Sequence, residues 1–254
     1  TAFAFAASTV DGDLSATATT GNITQSAALT VGGTGTFVTS ANDADIVLST
    51  ATNAITGEVS FTTNTAQAAA SGAGDVTFDN GVLDIVFAAS TIDGDLVVTS
   101  GNSSGITDNG TVTVDADVTL TTDANSGVIN MNQLAQTSNS GNTLSLNTNG
   151  SGTATIVNAT AVNLTTGTVG GATSITATLG NIIDANTLTV SSGGATFVTS
   201  ANNATINLGS LAVTGGITLT TNDDSGTDAD ATIVNATAFA FAASTVDGDL
   251  SATA

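Results

Sequence analysis

No Lys, Arg, His, Cys, Trp, Tyr or Pro occurs among the 254 residues. Without Cys or His there can be no thiolate catalysis, disulfide, thiolate zinc site or haem ligation. Without Lys or Arg there is no Schiff base, phosphate clamp or arginine finger. Most enzyme classes are thereby excluded, and so is nucleic acid as a partner, because 21 carboxylates and no basic side chain give a formal net charge of -21. Anionic lipid is excluded on the same ground. No apolar run approaches the roughly 18 residues of a membrane helix, and the Trp and Tyr girdles of an outer-membrane barrel are missing. Membrane insertion is therefore not expected. A secretory signal would need a basic n-region, which is also lacking. The chain begins at Thr1 and its single Met is Met131, so it reads as part of a longer translation product.

What is present is apolar and repetitive. Hydrophobic residues make up 41% of the chain and mean hydropathy is +0.33, enough apolar surface to offset chain entropy despite the charge. Residues 1–18, TAFAFAASTVDGDLSATA, return identically as residues 237–254, an offset of 236. Inside that period three weaker copies follow one another, 5–86, 87–163 and 164–240, with a partial next copy at 241–254. FAASTVDGDL from Phe5 becomes FAASTIDGDL from Phe87 and LTTGTVGGAT from Leu164, and Phe241 opens the next copy. Three sets of positions stay large and apolar across the copies: Phe37, Leu120 and Phe197; Ile46, Ile129 and Ile206; Leu48, Met131 and Leu208. Such sets are expected to face a shared interior. Length differences fall in Gly- and Asn-rich segments such as GNSSG (101–105) and SSGG (191–194), as turns allow.

Segments such as TVTV (111–114), DVTLTT (117–122), TLSLNT (143–148), ATIVNA (154–159) and ITLTT (217–221) alternate with period 2 between Gly, Asn and Asp clusters, and helical periodicity is nowhere sustained. Short strands, no helices and a fixed repeat predict an all-β fold, a right-handed parallel β-helix (β-solenoid), continuous over residues 1–254 and forming a segment of a longer tandem-repeat rod. The absence of Pro fits, since every inner strand must offer its N–H groups to neighbouring coils. A β-sandwich array is the alternative, but the aromatic core residue usual there is missing. A sub-repeat of about 79 residues divides into three coils of roughly 26 or four of roughly 20, and the sequence does not decide between them.

GNITQSAALTVGGTGTFVTSANDADIVLSTATNAITGEVSF (21–61), with its STVDGDL lead-in, resembles the repeat region of filamentous haemagglutinin-like exoproteins and related β-strand-repeat bacterial adhesins. The resemblance extends over the whole chain as repeat style. It implies a long secreted protein with a β-helical shaft on a bacterial surface, serving adhesion or aggregation. The family's N-terminal secretion module has no counterpart in these residues.

Any metal or acid chemistry would have to use carboxylates. Asp11-Gly12-Asp13 recurs as Asp93-Gly94-Asp95 and Asp247-Gly248-Asp249, a spacing that could offer oxygen ligands to calcium. The third copy reads Gly170-Gly171-Ala172, which favours turn residues over a metal site. Asp223, Asp224, Asp228 and Asp230 form a second acidic run, read as a solvated loop. Paired carboxylates would suit a β-helical polysaccharide depolymerase, yet acidic positions change between copies and no cation or large aromatic remains to hold a sugar. Thr-x-Thr pairs at Thr111 to Thr113 and Thr187 to Thr189 are too irregular for an ice-binding face. Sequons at Asn22, Asn102, Asn158, Asn163 and Asn235 are as frequent as this composition produces by itself. The expectation is a non-enzymatic extracellular structural repeat at the bacterial surface, with no catalytic, cofactor-binding or metal-ligating residue assigned. Its partners would be further copies of the repeat, in the same chain or head to tail. An adhesin repeat binding glycans, neighbouring cells or a partner protein is the second possibility.

Overall fold

In each turn of the chain, alternation decides which side chains go in. Leu29–Val31, Gly35–Thr39 and Val59–Thr62 point every second residue to the interior, leaving Thr, Ser and Val38 between them on the outer face. The structure, a computed structural model, describes residues 1–64, 74–137, 141–222, 228–238 and 240–254. Among these there are strands and turns and no helix. Every strand pairing is parallel, and the strands form a 14-stranded sheet, a 13-stranded sheet and a small one of three strands. The fold is a β-solenoid.

The register gives the length of each turn. Phe3 lies under Ile23, then come Ile46, Val76, Leu96, Val118, Leu144, Leu164 and, through Val162 over to Ile182, Ile206, Ala231 and Leu250, so the chain winds about 11 turns. Turns vary from 19 residues, Ala231 to Leu250, to 30, Ile46 to Val76, and the variation is absorbed between strands. The two large sheets face each other across one apolar interior. Phe5 of one meets Phe37 of the other at 6.4 Å, and Phe61 meets Phe78 at 5.3 Å. All three sets of apolar positions are buried, from Phe37 to Leu208.

A turn has one straight side and one bent side. In the first three turns the straight strands, Leu14–Ala18, Gly35–Thr39 and Val59–Thr62, belong to the 13-stranded sheet; the bent sides run from Phe3–Phe5 into Ser8–Val10, from Ile23–Gln25 into Leu29–Val31, and from Ile46–Leu48 into Ala54–Ile55. Then the sides exchange. Val76–Asp79, Leu96–Ser100, Val118–Asn125 and Leu144–Asn149 run straight in the 14-stranded sheet, while Ile106–Asp108 with Val112–Val114, and then Ile129–Gln136, bend in the other. They exchange again after Ala154–Asn158 and once more after Ala231–Asn235. Each sub-repeat contains one additional straight half-turn, so it spans three and a half turns. Phe5, Phe87, Leu164 and Phe241 accordingly lie in alternate sheets. This differs from both whole-number divisions considered from the sequence. A turn is about 22 residues, and the copies are related by a half-turn screw along the rod.

Candidate functional site: polar ladders on a closed core

At each exchange a straight strand must lie over the bent side of the turn below, where strand-to-strand bonding lapses. An asparagine fills the gap. Asn80, Asn158 and Asn235 end the three additional half-turns and are buried. Asn158 Oδ1 accepts the Gln136 N–H at 2.8 Å while its Nδ2 donates to the Gln136 carbonyl at 3.4 Å and to the Ala161 carbonyl at 2.8 Å. Asn235 repeats this with the Val213 N–H at 2.8 Å, the Val213 carbonyl at 3.1 Å and the Thr237 carbonyl at 2.9 Å. Asn80 does so with Ile55, at 2.8 and 3.0 Å, and with the Asp84 carbonyl at 2.6 Å. A side-chain amide has the donor and acceptor of a peptide group, so it restores the bond the backbone cannot make. Asn158 and Asn235, read from the sequence as sequons, have their amide nitrogens engaged inside the fold. Asn22 donates to Asp45 Oδ2 at 3.1 Å and Asn102 to the Val82 carbonyl at 3.0 Å. The Oδ1 of Asn163 is buried without a partner among the described residues.

The carboxylates are arranged in the same way. Just ahead of successive straight or bent strands of the 14-stranded sheet, Asp45 Oδ1 accepts the Asp75 N–H at 3.1 Å, Asp75 Oδ1 the Asp95 N–H at 2.9 Å, Asp95 Oδ1 the Asp117 N–H at 3.0 Å, and Asp117 Oδ1 the Thr143 N–H at 2.6 Å. Asn22 Oδ1 starts the ladder on the Asp45 N–H at 3.1 Å. On the bent sides, Asp108 accepts the Asn132 and Gln133 N–H groups at 3.0 and 2.7 Å, and Asp184 accepts those of Gly209 and Ser210 at 2.9 and 2.7 Å. Two consecutive amides turned outward at a corner are thus held by one carboxylate from the turn below.

The Asp-Gly-Asp motif finds its meaning in this ladder. A Cβ on Gly94 would stand 2.2 Å from Asp75 Oδ1, and one on Gly248 2.3 Å from Asp230 Oδ1. The glycine is the seat for the aspartate below, and the aspartate after it serves the turn above: Asp13 accepts the Thr34 N–H at 2.8 Å, Asp95 that of Asp117. In the Gly170-Gly171-Ala172 copy the aspartate is absent, while the Gly170 N–H is taken by Thr148 Oγ1 at 2.9 Å, just as Thr63 and Thr221 Oγ1 take those of Asp93 and Asp247. Carboxylates spent one by one on backbone amides do not converge, and no group of three or more that could hold a metal ion exists among the described residues. Asp228 and Asp230 lie beside the last turns, and Asp230 Oδ1 accepts the Asp249 N–H at 2.8 Å. Asp223 and Asp224 lie outside the described residues. The Thr ranks of the predicted pairs are short, since Thr91 and Thr113 continue as Ala135, and Thr168 and Thr189 as Ala212.

Burial, and after it the stacking of like charges a strand apart, perturbs some of these carboxylates. Asp95 is raised above the ordinary carboxylate value by burial, opposed by the Asp117 N–H and reinforced by the charges of Asp75 and Asp117. Burial likewise raises Asp79, against the Gly81 N–H and with Asp123, and raises Asp115 with Asp93. Asp13 is fully exposed and lowered by the Thr34 N–H.

Sequence reading missed the ladder at Asp45, Asp75 and Asp117, the corner clamps at Asp108 and Asp184, and the buried asparagines. The signal was an Asp standing immediately before an apolar alternation, in DIVL, DVTF, DLVV and DVTL. A depression of about 290 Å³ is lined by Gln136, Asn142, Asn163 and Asn181, with Ile183 at its side and no aromatic ring.

The fold and its ladders thus define a β-solenoid repeat protein. Residues 1–62 match a family described as repeats of unknown function (DUF5649). No curated protein and no solved structure matches the chain.

Proposed function

We propose that this chain is the shaft of a long extracellular filament on a bacterial surface, of the filamentous haemagglutinin-like kind, and that its work is mechanical and non-catalytic. The observation that carries this is one apolar core running without interruption through about 11 parallel turns, with the polar side chains committed to holding each turn on the next. Carboxylates that accept backbone N–H groups are poorly placed to act as acids, bases or cation ligands, and what remains outward is largely Thr, Ser and Asn. Such a rod spaces or links other parts of a molecule. It gains stiffness because bending towards either sheet must stretch the backbone ladder of the opposed one while compressing its own.

Electron microscopy of the intact parent protein tests this reading. Unbranched fibres of uniform width, lengthening with the number of repeats, are expected. Compact particles, or hydrolysis of a polysaccharide by the purified repeat, would overturn it. The adhesin reading has the amide-lined depression in its favour, and glycan-array binding that disappears when Asn142 and Asn181 are both changed to Ala would establish it.

A further inference from the structure

Residues 1–18 and 237–254 have the same sequence in two states of coverage. In the first copy the next turn lies on top: Phe3, Ala4 and Phe5 pair with Ile23, Thr24 and Gln25, Ser8–Val10 with Leu29–Val31, and Leu14 through Ala18 with Gly35 through Thr39. Phe5 is there 7% exposed and Ala16 3%. In the second copy the same two positions, Phe241 and Ala252, are exposed, Phe241 by 40%. The lower surface of that second copy is made in the ordinary way, with Leu250 over Ala231, Ser251 over Thr232 and Phe241 over Ile217. Its upper surface has the residues, and in the first copy the geometry, to receive one more turn.

We infer that the surface formed by residues 240–254 is a docking surface for a second copy of this repeat, which seats a segment of the sequence Gly21–Thr39 upon it, so that each 236-residue period follows the last rotated by half a turn. This rests on the shaft reading above. The rotation follows from the fold: three sub-repeats of three and a half turns leave a half-turn over, and Phe5 and Phe241, one period apart, already lie in opposite sheets. The arrangement of the Asn158 and Asn235 clamps, identical in sequence and on opposite sides, shows that the chain builds the same local structure in both orientations. A tandem array would therefore present each surface feature alternately on two opposite flanks. The axial step is about 50 Å, from a coil spacing of about 4.8 Å, and like orientation returns after two periods.

The test is a chain in which residues 1–254 are followed directly by a second 19–254. The protein has no Cys, so single cysteines at Ala243 of the first copy and at the same exposed position of the second, one period apart, can each carry one gold cluster for electron microscopy. Expected is one straight rod of doubled length with the clusters on opposite flanks about 50 Å apart along its axis, and amide exchange in residues 250–253 slowed at least tenfold relative to the 254-residue chain. Clusters on one flank of a continuous rod would overturn the half-turn relation while leaving the shaft intact. Two rods meeting at variable angles, with exchange in 250–253 unchanged, would overturn the docking surface and with it the shaft.

Discussion

The asparagines that end the three additional half-turns show how a single side chain can decide whether the winding continues. Asn158 accepts the N–H of Gln136, a group that would otherwise be sealed in the interior, and shares the Gln136 and Ala161 carbonyls with the Thr160 hydroxyl. Asn158→Ala should lower local stability by about 2 kcal/mol, the cost of leaving one buried N–H unpaired, and Asn158→Asp by at least as much because it loses the donor and buries a charge. Repeat arrays unfold in sections, so the loss should be read by native-state hydrogen exchange across residues 129–164, with the first two turns unchanged. Asp95 should behave in the opposite sense. Asp95→Asn keeps an acceptor for the Asp117 N–H and removes a charge from between Asp75 and Asp117, so stability at neutral pH should be unchanged or improved by up to about 1 kcal/mol. Asp95→Ala, which strands that N–H, should be destabilising. A thermal melt of the two variants side by side checks the ordering. Neither role was legible in the sequence. An Asn or Asp near a glycine reads as a turn residue whether it faces water or a backbone amide one turn away, and the turn above lies about 20 residues off at a distance that varies.

At the scale of the element, the tight reversal after the straight strand recurs in each sub-repeat. Thr39, Thr122 and Thr199 close it with hydroxyls that donate to the carbonyls of Ala44, Gly127 and Ala204 at 2.8, 2.9 and 2.9 Å. The residue four places after each Thr is left-handed: Asp43, Ser126 and Asn203 have φ of 55°, 64° and 60°. Asn and Asp tolerate that region and β-branched residues do not. Asn203→Gly should therefore be neutral or slightly stabilising, whereas Asn203→Val should cost about 1–2 kcal/mol, visible as faster exchange in Ile206–Val213 with the fold retained. Strands themselves were legible. Alternation marked Val112–Val114, Leu144–Asn149 and Gly216–Thr220 as half-buried strands, and the three recurring apolar sets marked the interior, because burial and pleat together impose a strict period of two. The number of turns was not legible. A count by division assumes whole turns, and the additional straight half-turn ending in Asn80, Asn158 or Asn235 resembles every other strand until its partner is known to be bent.

For the whole molecule, the imbalance of charge turns the usual response to acid around. No ion pair involving a basic side chain can exist here, so acidification breaks none. Asp79, Asp95 and Asp115 all stand above the ordinary carboxylate value of 3.8 in the folded chain, with burial the leading cause in each. A carboxyl raised on folding binds its proton more tightly in the native state. Its contribution to stability is then complete below the unfolded value and is lost as pH rises through the folded one. Asp13, lowered by the Thr34 N–H, works the other way, but it is fully exposed and screened by solvent. Protonation also relieves the mutual repulsion of a chain with formal charge -21. The melting temperature at low ionic strength should therefore rise as pH falls from 7 towards about 4, where most proteins of this size begin to lose stability. Added monovalent salt should raise it at pH 7 and have much less effect at pH 4, since by then part of the charge it screens is gone. Melts followed by circular dichroism at the two pH values, each with and without salt, measure both slopes. A melting temperature that fell steadily with acid would mean that the ladder carboxylates stabilise the rod mainly as anions, through their bonds to Asp117, Thr143 and the corner amides, and that burial and repulsion are the smaller effects.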